Sequence, residues 1–111
     1  MRYGVIGSRT FNNYDILFHV LEKHYIYKII SGGAKGADTL AERYATEKGI
    51  PFEWFPPDYE KYGKKAPFVR NKEIVRGSDV IIAFWDMVST GTKHSIDFAT
   101  SIGIKSIIIS I

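Results

Sequence analysis

Five short apolar runs alternate with segments of helical periodicity along the chain. The strongest run, Val80-Ile81-Ile82-Ala83-Phe84, is continuously apolar, as is typical of a strand buried on both faces. Strands that alternate with helices form parallel sheets, because each helix returns the chain across the sheet in a right-handed crossover. The sequence therefore predicts an α/β fold with helices on both faces of a five-stranded parallel sheet. The predicted strands are residues 2–7, 28–31, 50–55, 79–85 and 106–111, and the predicted helices are residues 12–25, 39–48, 68–76 and 92–102.

Each predicted helix has an apolar side that we expect to face the sheet. Residues 58–67 have no clean period and are interpreted as a surface loop or a short helical turn. The inward side chains are expected to be Ile16, Leu17, Val20 and Leu21 in the first helix, Leu40, Ala41, Tyr44 and Ala45 in the second, and Ile96, Ala99 and Ile102 in the last.

The composition is that of one domain, residues 1–111, because 45% of the side chains are hydrophobic and no repeat or linker interrupts the pattern. The chain has no cysteine, which excludes disulfides, a thiol nucleophile and thiolate metal sites. The apolar runs are too short to span a membrane and no signal-peptide pattern is present, so we expect a cytoplasmic protein. The formal net charge of +3 suits an anionic ligand and is too small to indicate nucleic acid by itself.

A glycine-rich segment, Ser31-Gly32-Gly33-Ala34-Lys35-Gly36-Ala37-Asp38, joins the second strand to the second helix. Its glycines indicate a tight turn or the close approach of another group to the backbone. The helix start offers unpaired N–H groups and a partial positive charge, which favour phosphate or another anion. A simpler interpretation is a tight turn in which Asp38 only caps the helix. The candidate ligand-binding residues of this loop are Gly32, Gly33, Lys35, Gly36 and Asp38.

Two further strand ends are rich in glycine and hydroxyl residues. Taken singly, Ser8 and Thr92 are also ordinary turn and cap residues, and Arg9 is also an ordinary solvated surface charge. With the strand order 3-2-1-4-5, the first and fourth strands are neighbours where the strand order reverses, and open α/β sheets bind ligands there. Three donor-rich loops in one crevice predict a phosphorylated, nucleotide-like ligand. The candidate residues are Gly7, Ser8 and Arg9 after the first strand, and Trp85, Ser89, Thr90, Gly91 and Thr92 after the fourth.

Arg70 and Asn71 lie near the start of the predicted third helix, from which they can reach a phosphate. A guanidinium donates paired hydrogen bonds that suit phosphate oxygens, so we expect Arg70 to serve the ligand rather than the fold. The alternative for Arg70 is a salt bridge to a surface acid. Trp85 is a candidate to stack on a base, with core packing as its alternative.

The three histidines, His19, His24 and His94, have no metal-ligand spacing between them, so we expect neither a bound metal nor a cofactor. The sequence also indicates no Ser-His-Asp catalytic triad. Apolar side chains left over on or beside the helices, such as Phe18, Tyr25 and Phe98, predict self-association. The expected assembly is a symmetric homodimer or a higher homo-oligomer.

Together, the segments Gly7-Ser8-Arg9, 32–38, Arg70-Asn71 and 89–92 resemble the YspA-like group of the SLOG superfamily. The resemblance extends over nearly the whole chain, including the Tyr-Gly-Lys segment within residues 58–64. It implies a Rossmann-like three-layer sandwich that binds a nucleotide or a nucleotide-derived ligand through the three loops. The superfamily includes the Lonely Guy phosphoribohydrolases and the DNA-processing protein A domain, and the resemblance does not fix a reaction.

The sequence departs from the Lonely Guy pattern at a catalytic position. Where those enzymes carry a glutamate after Gly-Gly-x-Gly-Thr, this chain has Ser95, and Asp97 is two residues late and points elsewhere on a helix. Serine cannot stabilise a ribosyl cation as a carboxylate does. The remaining candidates for a catalytic carboxylate are Asp38 and Asp86.

Three functions stay open from the sequence. The first is a module that senses or sequesters a nucleotide-like small molecule. The second is a hydrolase of the N-glycosidic bond of such a ligand. The third is a single-stranded DNA-binding protein, against which the chain shows no basic stripe with interleaved aromatics beyond Lys61, Lys64 and Lys65. No membrane partner is expected.

Overall fold

In the computed structural model, which describes all of residues 1–111, five strands alternate with helical segments. The strands are β1 (Arg2–Gly7), β2 (Lys28–Ser31), β3 (Phe52–Trp54), β4 (Val80–Trp85) and β5 (Lys105–Ser110). The helices are α1 (Tyr14–Leu21), α2 (Ala37–Lys48), α3 (Tyr59–Tyr62), α4 (Ala66–Arg76) and α5 (Thr90–Ser101), with a 3-10 turn at Gly63–Lys65. None of the helices combines the length and the apolar character needed to cross a membrane.

The five strands form one parallel sheet in the order β3-β2-β1-β4-β5, which confirms the predicted Rossmann-like arrangement and strand order. The central strand β1 pairs with β2 on one side and with β4 on the other, and Val5 lies opposite Ile82 in the second pair. The chain moves outwards from β1 to β3 and then returns to the other side of β1. The strand order therefore reverses between β1 and β4, and a crevice opens beyond their carboxyl ends.

Alternate residues of the strands feed two separate cores, because successive side chains of a strand point to opposite faces. Ile29 and Ile82 belong to the core that α1 and α2 cover, whereas Ile30 and Ile81 belong to the core that α4 and α5 cover. All four side chains are at most 1% exposed. Burial on both faces explains why β4 reads as a continuous apolar run.

The helix ends follow local signals in the sequence. Asn13 is the N-cap of α1 and accepts the N–H of Ile16 at 3.1 Å. Gly49 ends α2 in the left-handed conformation, with φ at 68°. The end of α2 at Lys48 agrees with the predicted helix 39–48.

Several predicted boundaries and faces are wrong. Helix α1 is shorter than residues 12–25, whereas α2, α4 and α5 each begin two residues earlier than predicted. Strand β3 is limited to three residues, whereas α3 and the 3-10 turn fit the short helical turn that is one of the two interpretations of residues 58–67. Ile16 and Ile102 were expected to face the sheet, yet they are 40% and 45% exposed. Ile102 lies outside α5, as its C-cap residue, so the helical period no longer fixes its direction.

The side chains that suggested self-association have different environments. Phe18 packs against the first core, with its ring centroid 5.7 Å from that of Tyr44. Phe98 packs against the second core, and Arg76 lies over its ring. Tyr25 alone of the three is fully exposed, at 97%.

Candidate functional site

A cavity of about 450 Å³ lies at the carboxyl ends of β1 and β4, beside the starts of α2, α4 and α5. All three predicted loops contribute to its walls. The predicted site residues that line it are Gly7, Ser8, Arg9, Asp38, Arg70, Asn71, Asp86, Ser89, Thr90, Gly91 and Thr92. The predicted residues Gly32, Gly33, Lys35, Gly36 and Trp85 do not line it.

The glycines between β2 and α2 permit close contacts within the protein itself. Gly33 has φ at +72°, and a Cβ atom there would overlap the ring of Trp54, with Cζ3 at 3.0 Å. Gly36 has φ at +83°, and a Cβ atom there would overlap the carbonyl oxygen of Ser8 and lie 2.9 Å from Cα of Arg9. The close approach that the sequence indicated is therefore made by the chain itself at both positions.

Asp38 holds the glycine-rich loop from the first turn of α2. Its Oδ2 atom accepts the N–H groups of Gly32 at 3.1 Å and Ala34 at 3.2 Å. The residue is 8% exposed, and this burial raises the pKa of its carboxyl, although the Ala34 N–H and the charge of Arg70 act in the opposite direction. The N-cap of α2 is Gly36, so the interpretation of Asp38 as the helix cap is wrong.

A polar network joins the loop after β1 to the loop after β4. Asp86 Oδ1 accepts the N–H groups of Val88 at 3.0 Å and Ser89 at 2.8 Å, and its Oδ2 accepts the Ser89 hydroxyl at 3.0 Å. The Ser8 hydroxyl accepts the Asp86 N–H at 3.1 Å and lies 3.0 Å from the Ser89 hydroxyl. The backbone N–H groups lower the pKa of Asp86, so its carboxyl is an anion. Ser8 and Asp86 therefore fix the two loops that meet at the reversal of strand order.

The start of α5 presents unpaired hydrogen-bond donors to the cavity. Helix α5 has 12 residues, and Ser89 at its N-cap makes no side-chain cap bond. The N–H groups of Thr90, Gly91 and Thr92 donate to no other group of the protein. These three residues line the cavity. A helix start of this kind carries a partial positive charge and binds anions.

Arg70 contacts both the cavity and the glycine-rich loop. Its Nη1 donates to the carbonyl of Gly32 at 2.9 Å, and its Nε donates to Oδ1 of Asn71 at 3.0 Å. Burial lowers the pKa of the guanidinium, which nevertheless stays charged. Arg70 forms no salt bridge to a surface acid, whereas its bond to Gly32 is a contact with the fold that the sequence did not indicate. Arg9, by contrast, is exposed.

The aromatic side chain in the cavity differs from the one predicted. The indole N–H of Trp85 donates to the carbonyl of Ser89 at 3.1 Å, and its ring packs against the second core, so the core-packing alternative describes Trp85. Phe68, from the first turns of α4, lines the cavity instead. The sequence identified Phe68 only as the first residue of a helix.

Helix faces supply most of the lining residues that the sequence analysis missed. Ser95 lies one turn after Thr92 on α5, so the helical spacing of the loop residues could have found it. Asp97 is exposed and pairs with Lys93 at 2.7 Å, away from the cavity, as helical spacing predicts. The lining residues that were not predicted as ligand-binding are Ile6, Thr10, Ala34, Pro67, Phe68, Ile74 and Ser95.

No three His, Asp or Glu side chains lie together in a way that could hold a metal ion. His94 packs its ring against Phe68, with 4.9 Å between the centroids. Its Nδ1 atom is buried without a partner, and burial lowers the pKa of the imidazole. His94 does not line the cavity.

Comparisons with known proteins agree with the resemblance drawn from the loops. The Gene 61 protein of Mycobacterium phage D29 is 37% identical to this chain in an alignment 114 positions long, which covers 93% of this chain and 91% of the phage protein. No solved structure matches the chain. The model of the family described as YspA, cpYpsA-related SLOG matches residues 4–62, from β1 to α3. The chain belongs to the YspA, cpYpsA-related SLOG family.

Proposed function

We propose that the protein binds a nucleotide or nucleotide-derived ligand in the cavity at the carboxyl ends of β1 and β4, as a sensor or sequestering module. The observation that carries the proposal is the set of unpaired N–H groups of Thr90, Gly91 and Thr92 at the start of α5. A phosphate group supplies the acceptor oxygens that these donors lack. Membership of the SLOG family also favours a nucleotide-related ligand.

Charge and size support the same ligand class. Arg9 and Arg70 line the cavity, and a guanidinium group complements a phosphate. The cavity volume of about 450 Å³ suits one small molecule.

The test is calorimetric titration with ribonucleoside monophosphates, dinucleotides and inorganic phosphate. Arg70→Lys keeps the charge and loses the forked donor geometry, so we expect nucleotide binding to weaken by on the order of 1–3 kcal/mol. Arg76→Lys is the matched control on the same helix, because Arg76 lies in the last turn of α4 and does not line the cavity. The melting temperature of each variant is measured without ligand, since Arg70 also holds the carbonyl of Gly32.

Failure of the wild-type protein to bind any nucleotide would contradict the proposal. Equal affinities for the wild-type protein and a folded Arg70→Lys variant would remove Arg70 from the site. Single-stranded DNA is titrated in parallel at two salt concentrations, because phosphate contacts with a polymer weaken as salt rises. Salt-dependent binding of DNA without binding of nucleotides would favour the DNA alternative.

A second candidate function is hydrolysis of the N-glycosidic bond of the bound nucleotide. Asp38 and Asp86 line one cavity, and their surroundings shift their pKa values in opposite directions. When the pKa values of two carboxyl groups are shifted apart in this way, one group can act as a proton donor and the other can stabilise a cation as an anion. Asp38 would donate its proton to the leaving base as the N-glycosidic bond breaks, and Asp86 would face the developing ribosyl cation. Water would then bond to the anomeric carbon of the ribose and return a proton to Asp38.

The assay for this candidate measures free base released from ribonucleoside monophosphates. Asp38→Asn and Asp86→Asn are each expected to abolish release, whereas Asp97→Asn, on the exposed side of α5, should leave it unchanged. An absence of free base with the wild-type protein, at concentrations that saturate binding, would leave the binding module as the function.

A further inference from the structure

Both polar and apolar residues line the cavity. The polar residues include those at the start of α5 and the two arginines. The apolar residues include Pro67, Phe68 and Ile74 from α4, together with Ile6 from the end of β1. A ligand that fills the cavity therefore meets phosphate-binding groups and an aliphatic and aromatic surface at the same time.

Phe68 differs from the other apolar residues that line the cavity. It belongs to neither hydrophobic core, and 43% of it is exposed, although a phenylalanine in a helix ordinarily packs inwards. It is the aromatic residue among the cavity-lining side chains. The fold therefore gains little from an aromatic ring at this position.

The ring of Phe68 nevertheless has one neighbouring ring. It packs against His94 with 4.9 Å between the ring centroids and 67° between the planes. His94 is neutral near pH 7, because burial and the charge of Lys72 lower its pKa. The imidazole, which does not line the cavity, therefore brings no charge to this contact.

We propose, on the basis of the nucleotide binding proposed above, that Phe68 is the surface on which the base of the ligand stacks. The base then lies against Phe68, and the phosphate lies at the start of α5 and at Arg70. Stacking needs only the flat face that every base has, so Phe68 contributes affinity for bases in general and favours purines by their larger area. Trp85, which the sequence suggested for this role, packs against the second core and does not line the cavity.

The experiment compares ligands with and without a base. The wild-type protein, Phe68→Leu and Phe68→Ala are titrated with the four common ribonucleoside monophosphates and with ribose 5-phosphate. The matched control is Tyr25→Leu, which removes an exposed aromatic ring remote from the cavity. Melting temperatures establish that each variant is folded, which the exposure of Phe68 leads us to expect.

We expect both Phe68 variants to weaken nucleoside monophosphate binding by on the order of tenfold and to leave ribose 5-phosphate binding unchanged. The preference of the wild-type protein for purines should be smaller in the same variants. Tyr25→Leu should change the affinity for neither the monophosphates nor ribose 5-phosphate. Equal losses for both ligand classes, or no loss for the monophosphates, would overturn the stacking role while nucleotide binding stands. If the wild-type protein bound none of these probes, nucleotide binding would be overturned, and the stacking role with it.

Discussion

Replacing Gly36 by alanine should destabilise the protein more than the same change at Gly63. At Gly36 alone of these two positions, the added methyl group would overlap another part of the backbone. Gly36 has φ at 83° and ψ at −130°, and Gly63 has φ at 57° and ψ at −134°. Alanine in such a backbone conformation costs about 1–3 kcal/mol at either position. A Cβ atom at Gly63 meets nothing within 4 Å, whereas one at Gly36 would overlap the carbonyl oxygen of Ser8.

The backbone at Ser8 cannot withdraw freely, because its carbonyl accepts the N–H of Phe11 at 3.1 Å. Overpacking of this kind costs about 1–3 kcal/mol more. We therefore expect the free energy of unfolding to fall by about 1–3 kcal/mol for Gly63→Ala and by about 2–6 kcal/mol for Gly36→Ala.

Urea unfolding followed by circular dichroism measures both losses, with the slope m used to verify that each variant unfolds in one step. The difference between the two variants isolates the contact, since the backbone cost is common to both. Equal losses would refute the close approach of the glycine-rich loop to the loop after β1.

Three further predictions concern strain, titration and assembly. Met87 has φ at 69°, so Met87→Gly should raise the free energy of unfolding by about 0.5–1 kcal/mol, after the entropic cost of glycine, and an unchanged urea midpoint would contradict this. Burial raises the pKa of Asp38, so its protonation stabilises the folded state at low pH and this contribution is lost as pH rises through the raised value. Urea titrations from about pH 4 upwards should therefore show the wild-type protein losing stability relative to Asp38→Asn, and parallel profiles would refute it. Self-association stays a prediction, and light scattering that gave the monomer mass of 12.6 kDa would contradict it.

The sheet could be predicted from the sequence because its signals are local. Apolar runs such as Val80–Phe84 report burial on both faces, and the crossovers between them restrict the strand order to few alternatives. The loops that line the cavity could be predicted for the same reason. Each follows a strand, and parallel strands end at one edge of the sheet.

The rest depends on contacts between distant segments. Nothing near Gly33 in the sequence indicates that Trp54 packs against it, and nothing near Arg70 indicates that the Gly32 carbonyl is its acceptor. Phe68 escaped notice because an aromatic residue at a helix start predicts packing as readily as a site. Such residues are found only when the angle between helices and the depth of the cavity are known.

The two tryptophans of the chain lie against different loops of the cavity. The ring of Trp54 covers Gly33 in the loop after β2 and is 53% exposed, whereas the indole N–H of Trp85 binds Ser89 in the loop after β4 and its ring is partly buried. Indole emission moves to longer wavelength as a ring becomes more exposed to water, so the two side chains emit at different wavelengths. The protein therefore carries a separate intrinsic fluorophore for each loop. In Trp54→Phe the remaining indole emission comes from Trp85 beside the β4 loop, and in Trp85→Phe it comes from Trp54 beside the β2 loop. A rapid-mixing experiment on the two variants can therefore record the order in which the two loops respond to a ligand.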